Sequence, residues 1–171
     1  ILEGAQMVAE GQDPRLVEWA ARAAGMAVGP LQVFDEVTLT LVRHAFENGS
    51  RYLEEHRELA KLPGFELVCK LVDQLDRKGR ASGAGFYDYK EGKRTGLFSG
   101  LSELARAVNP NAAAPKPALS ADESAALVAE LGQRLLLIQS LQALRSLEAG
   151  ILQRHRDAEI GAIFGLGFAP G

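Results

Sequence analysis

The order helix, glycine stop, helix, glycine-bounded loop, proline occurs twice in this chain. No other feature narrows the possible folds as much. Near the start, residues 1–10 read as a helix that stops at Gly11, the residue type best suited to a helix end. A second helix, 15–24, follows, and Gly25-Met26-Ala27-Val28-Gly29-Pro30 closes it. Near the end, a helix stops at Glu148-Ala149-Gly150 and a short helix over 157–164 follows. Gly165-Leu166-Gly167-Phe168-Ala169-Pro170 then closes the second copy. Gly11 and Pro30 stand 19 positions apart, Gly150 and Pro170 stand 20 apart, and Gly25 and Gly165 each precede their proline by five. Units that recur in this way bury one another's apolar faces. The expected fold is therefore all-α, two repeated helical units packed as a pseudo-dimer, with no Rossmann domain. The expected boundaries are 1–108 for the first repeat, 109–119 for a linker and 120–171 for the second repeat.

Within that frame, Asp13-Pro14 supplies a helix cap followed by proline at the first helical position. Pro30 opens a helix whose Leu31, Phe34, Val37, Leu41 and Val42 recur every three or four residues, the mark of one buried face. Glu54-Glu55-His56-Arg57 reads as its solvated end, and Pro63-Gly64 breaks the chain. A further helix over 65–77 carries Leu67, Val68, Leu71, Val72 and Leu75 on one side. Gly79, Gly83 and Gly85 exclude helix from the stretch that follows. Phe86-Tyr87-Asp88-Tyr89 is expected to be an extended segment packed on the helices rather than a sheet. The Pro/Ala/Asn composition of 109–119 predicts an extended linker. Ser120 and Glu123 form a capping box for a helix running to 149, with Leu127, Leu131, Leu135, Ile138, Leu141 and Leu144 as its core stripe.

Composition excludes several functions. The net charge is −3 without a long basic run, so neither nucleic acid nor an anionic membrane is an expected partner. No apolar stretch reaches the roughly 20 residues of a membrane span. Cys69, the one cysteine, lies in an apolar helical pattern and is expected in the core. It leaves no disulfide within the chain, in keeping with a reducing, cytoplasmic setting. His44, His56 and His155 are scattered, so no metal site is expected. The Gly79–Gly85 stretch follows a helix and leads into an aromatic segment, which is the wrong context for dinucleotide binding. No phosphate loop and no nucleophile elbow occur. No catalytic residue and no cofactor are therefore expected in this chain.

Asp35 and Glu36 are adjacent on a helix and do not face one another, so a shared acid–base role is not expected. Asp35 is instead expected to accept hydrogen bonds from the nearby loop backbone. Lys78 and Arg80 read as solvated loop residues, with contact to an anionic ligand as the alternative. Trp19, Phe34, Phe46, Phe86, Phe164 and Phe168 read as core residues, some of which could line an apolar pocket. The chain opens Ile1-Leu2-Glu3-Gly4-Ala5, without an initiator methionine and already helical in character. The expectation is a piece of a longer protein.

Three ordered motifs then resemble a known family. Gly25-Met26-Ala27-Val28-Gly29-Pro30-Leu31 with Phe34-Asp35-Glu36-Val37, and Gly79-Arg80-Ala81-Ser82-Gly83-Ala84-Gly85-Phe86-Tyr87-Asp88-Tyr89, are similar to segments of 3-hydroxyacyl-CoA dehydrogenases. Leu147 to Ile151, Arg156 to Gly161 and Gly165 to Pro170 resemble the second C-terminal repeat of multifunctional β-oxidation enzymes. The resemblance implies the helical C-terminal region, which closes over acyl-CoA, mediates dimerisation and carries a second repeat in place of a dimer partner. It further implies an NAD-binding Rossmann domain in the same protein, with a catalytic His–Glu pair that has no counterpart here. A homo-oligomer stays open. On this resemblance Met26, Val28, Gly29, Pro30 and Phe34 are expected near the acyl chain, and the isolated chain is expected to be inactive. Ala81, Thr38 and Gln142 depart from the family pattern. The alternative is a stand-alone helical interaction module with no acyl-CoA role.

Overall fold

The computed structural model describes residues 1–113 and 119–166. Residues 114–118 of the linker and residues 167–171, which include Phe168 and Pro170, lie outside the described residues, as does the side chain of Phe164. The described chain is helical, with no Rossmann fold. In order it forms α1 (Leu2–Ala9), α2 (Pro14–Ala23), α3 (Pro30–Val37), α4 (Leu39–Gly49), α5 (Glu54–Leu59) and α6 (Pro63–Asp73). A single 3-10 turn (Arg80–Ser82), strands β1 (Tyr87–Lys90) and β2 (Lys93–Leu97), and helices α7 (Leu101–Val108), α8 (Ala121–Glu148) and α9 (His155–Leu166) complete it. The chain divides into two compact units, Ile1–Glu18 with Pro30–Ala118 and Trp19–Gly29 with Leu119–Gly171. The division runs through α2.

The first unit is built around α1 and α6. Met7 and Val8 of α1 and Leu67, Val68 and Leu71 of α6 are essentially free of solvent. Close approach explains two small residues here. A Cβ on Gly64 would lie 2.5 Å from the Gln6 nitrogen, and one on Gly4 would lie 2.5 Å from Pro30 Cγ. The Gly64 amide donates to Gln6 Oε1 at 2.8 Å, so α1 supplies the cap that the start of α6 lacks. The two glycine stops at corresponding places, Gly11 (φ +97°) and Gly150 (φ +69°), both adopt the left-handed conformation that ends a helix.

In the second unit, Ser120 and Glu123 form the expected reciprocal cap of α8. Val128, Leu131 and Leu135 are buried. A Cβ on Gly132 would lie 3.2 Å from the Ala20 carbonyl oxygen and 3.3 Å from Ala24 Cβ. Glycine at that position therefore lets α8 approach the end of α2 closely.

Several expectations are corrected. Phe86 to Tyr89 does not stand as a lone extended segment. Tyr87 to Lys90 pairs antiparallel with Lys93 to Leu97 across the two-residue turn Glu91-Gly92, whose φ angles are +51° and +73°. Both residues being left-handed is what lets so short a turn match the twist of the strands. The helix opened by Pro30 does not continue through Val42. It breaks at Thr38 (φ +70°), whose hydroxyl accepts from the Leu41 amide and starts α4. Leu39 N donates to the Lys78 carbonyl, which ties the break to the glycine-rich loop. The break turns Val37 and Leu41 outward, and α6 stops at Asp73, leaving Leu75 exposed as well. Glu54 to Leu59 is a separate short helix, not a tail. Trp19 is 56% exposed and not a core residue, and Cys69 is only half-buried. On α8, Leu141 and Leu144 are exposed, so the expected stripe is covered only along its first half.

Candidate functional site

The glycine-rich motif closes over α3, and Asp35 is what holds it. This side chain is fully buried. Its Oδ1 accepts the Phe86 amide at 2.7 Å, and its Oδ2 accepts the Tyr87 amide at 2.9 Å and the Tyr89 hydroxyl at 3.0 Å. Asp35 accepts backbone amides as expected, but they are those of Phe86 and Tyr87, 51 and 52 positions away, and not those of the nearby loop. The same contact explains the glycines. A Cβ on Gly85 would lie 2.0 Å from Asp35 Oδ1, and one on Gly79 (φ +125°) would lie 2.7 Å from the Asp35 carbonyl oxygen. Gly79 and Ala84 exchange both backbone hydrogen bonds, at 2.7 and 3.2 Å, and close the loop on itself. Beneath it the rings of Phe34 and Phe86 lie 5.2 Å apart.

Two further charged groups complete the arrangement. Arg77, almost fully buried, donates from Nε to the Gly85 carbonyl at 2.7 Å. Its other nitrogen donates to the Tyr87 carbonyl at 3.1 Å and to Asp88 Oδ1 at 2.6 Å, while the guanidinium lies 4.0 Å from the Phe98 ring centre. Glu18, also buried, accepts the Leu31 amide at 2.7 Å on Oε1 and the Tyr87 hydroxyl at 2.7 Å on Oε2. Burial pushes both the Glu18 and the Asp35 carboxyls above their ordinary values, outweighing the donors around them. Burial and the neighbouring carboxylates raise the Tyr87 and Tyr89 phenols, so both hydroxyls stay protonated donors at neutral pH. The chemistry of this cluster is that of a scaffold. Its donors and acceptors meet one another and hold the motif against α3.

The expected site residues separate. Met26 and Val28 are half-buried, and Gly29 and Pro30 are buried. Phe34 is fully buried and meets Phe86. Lys78 and Arg80 are exposed and pair with Asp76 at 2.5 Å and Glu36 at 2.9 Å. Among the described residues, no three His, Cys, Asp or Glu side chains gather as a metal site would require. Sequence reasoning missed Glu18, Arg77 and the two tyrosine hydroxyls. A signal for Glu18 existed: it shares the face of α2 carrying the buried Val17 and Ala21, where a carboxylate needs a partner.

The first unit is thus a helical body whose glycine-rich aromatic motif is pinned to a buried aspartate. Residues 1–89 match the 3-hydroxyacyl-CoA dehydrogenase C-terminal domain, and the chain belongs to that family. Relatives extend the likeness beyond residue 89. The fatty acid oxidation complex subunit alpha of Shewanella sp. (strain ANA-3) is 34% identical, covering 98% of this chain and 22% of the relative. The subunit of the same name from Shewanella baltica (strain OS185) is 35% identical, covering 98% of this chain and 21% of the relative. The chain thus spans about a fifth of the length of these relatives.

Proposed function

We propose that this chain is the substrate-cleft region of an NAD-dependent 3-hydroxyacyl-CoA dehydrogenase acting in fatty-acid oxidation. The observation that carries the reading is the Asp35-centred motif inside a segment that matches the family's C-terminal domain. In this reading a Rossmann domain of the same protein binds NAD and supplies the catalytic groups. Met26, Val28, Gly29 and Pro30 form part of the wall that meets the acyl chain. Phe34, fully buried, supports that wall through its contact with Phe86. The helical region also serves association, either by the second repeat or by a second copy of the protein. The setting is the cytoplasm.

The test separates the chain from the protein that carries it. The purified 171-residue chain, shown to be helical by circular dichroism, is assayed with NADH and acetoacetyl-CoA beside the longer protein. The expected outcome is turnover by the longer protein and none by the chain. Robust turnover by the chain alone would overturn the claim that it is catalytically incomplete. Absence of turnover in the longer protein would overturn the dehydrogenase reading itself.

A further inference from the structure

The eight residues of α3 have no cap of their own. Proline at the first position offers no amide, and the residue before it, Gly29, has no side chain to accept one. A helix this short is marginal unless tertiary contacts fix its ends. Leu31 carries the next amide, and it donates to Glu18 Oε1 of α2 at 2.7 Å. A carboxylate at this end also meets the positive pole of the helix dipole. The other Glu18 oxygen takes the Tyr87 hydroxyl at 2.7 Å. Arg94 stacks 4.6 Å from the Tyr87 ring centre and donates to Gln32 Oε1 at 2.5 Å, closing the ring of contacts on its outer side. One side chain therefore joins α2, the first turn of α3 and β1.

We propose that Glu18 is a positioning residue. It caps α3 from α2 and so fixes the Pro30 end of the loop that meets the acyl chain, a role that rests on the function proposed above. The residue is not placed in contact with substrate. Its effect travels through the backbone of Leu31 and Pro30.

The test compares Glu18→Gln and Glu18→Ala in the full-length protein that carries this chain. Hydrogen exchange is followed in peptides covering the first turn of α3. Loss of a cap raises local opening by roughly tenfold. That acceleration is expected for Glu18→Ala, with Glu18→Gln between it and the parent because an amide oxygen still accepts one bond. Steady-state kinetics with an acyl-CoA substrate then separate positioning from folding. A residue with only a structural role lowers the folded fraction, which reduces apparent kcat and leaves KM unmoved. A positioning role raises KM several-fold in Glu18→Ala at matched folded fraction, with partial rescue in Glu18→Gln. Unchanged exchange in Glu18→Ala overturns the cap. Accelerated exchange with unchanged KM overturns the link to the loop. If the parent protein turns over no acyl-CoA, the functional reading falls and takes the positioning role with it, while the exchange data still report on the cap.

Discussion

Two helices of the first unit, α3 and α6, and the long helix of the second begin in different ways. The start of α6 is capped by Gln6, 58 residues upstream, and the start of α3 by Glu18, 13 upstream of Leu31. The start of α8 is capped by its own Ser120 and Glu123. A locally capped helix carries its own punctuation. A remotely capped helix has an unsatisfied end until the rest of the unit is in place. The first unit therefore depends on its buried polar contacts, whereas α8 depends on local bonds and on packing along half of its length.

The largest expected effect sits at the centre of the first unit. Asp35→Ala leaves two buried amides and the Tyr89 hydroxyl without their acceptor. Stranded buried donors cost about 1–3 kcal/mol each, so denaturant unfolding should show a loss of about 3–5 kcal/mol. A loss below about 1 kcal/mol would break the comparison, because it would mean the motif is held by packing alone. The same carboxyls give stability a pH dependence. Asp35 and Glu18 both titrate above their ordinary values in the fold, so the folded chain binds protons more readily than the unfolded one. Their contribution is fully present below the ordinary carboxylate range and is lost as pH rises through the folded values. Glu18→Gln should flatten that slope, and a profile identical to that of the parent would refute the assignment.

Smaller effects are expected in the second unit. Ser120→Ala removes a local cap, worth about 1 kcal/mol, and should fray the first turn of α8 in amide exchange while leaving the Asp35 contacts intact. Leu141→Ala should change stability by no more than about 0.5 kcal/mol, since Leu141 is 40% exposed. A markedly larger loss would show that this part of α8 is covered in solution.

The parts of the fold that were legible in the sequence are those with local causes. The spacing of Leu67, Val68, Leu71 and Val72 marks the buried face of α6, and all four are buried. The glycine stops at 11 and 150 and the Ser120 box are written in single residues. Asp35 was legible as a structural acceptor because the adjacent Glu36 cannot face it, whereas its distant partners Phe86 and Tyr87 were not legible. What stayed hidden depends on contacts across the chain. Periodicity places Glu18 on a buried face without saying that Leu31 and Tyr87 lie opposite it. Strand β2 was hidden because four of its five residues are exposed and show no apolar alternation. Its turn was hidden because Glu91, not asparagine or glycine, holds the first left-handed position. Thr38 interrupts an apolar pattern that runs unbroken from Leu31 to Val42, so spacing alone joins α3 to α4.

The division through α2 has a consequence for how the chain is made. Residues 19–29 belong with 119–171, and 90 positions separate the end of the first segment from the start of the second. During synthesis those eleven residues leave the ribosome long before α8 exists. They must wait for their partner segment until 119–171 has been made. Closing so long a loop is slow relative to local helix formation, so the contacts between 19–29 and 119–171 are expected to form late. A cut in the linker would then do more than trim a tail: it would leave residues 19–29 holding one half of an interface whose other half has gone.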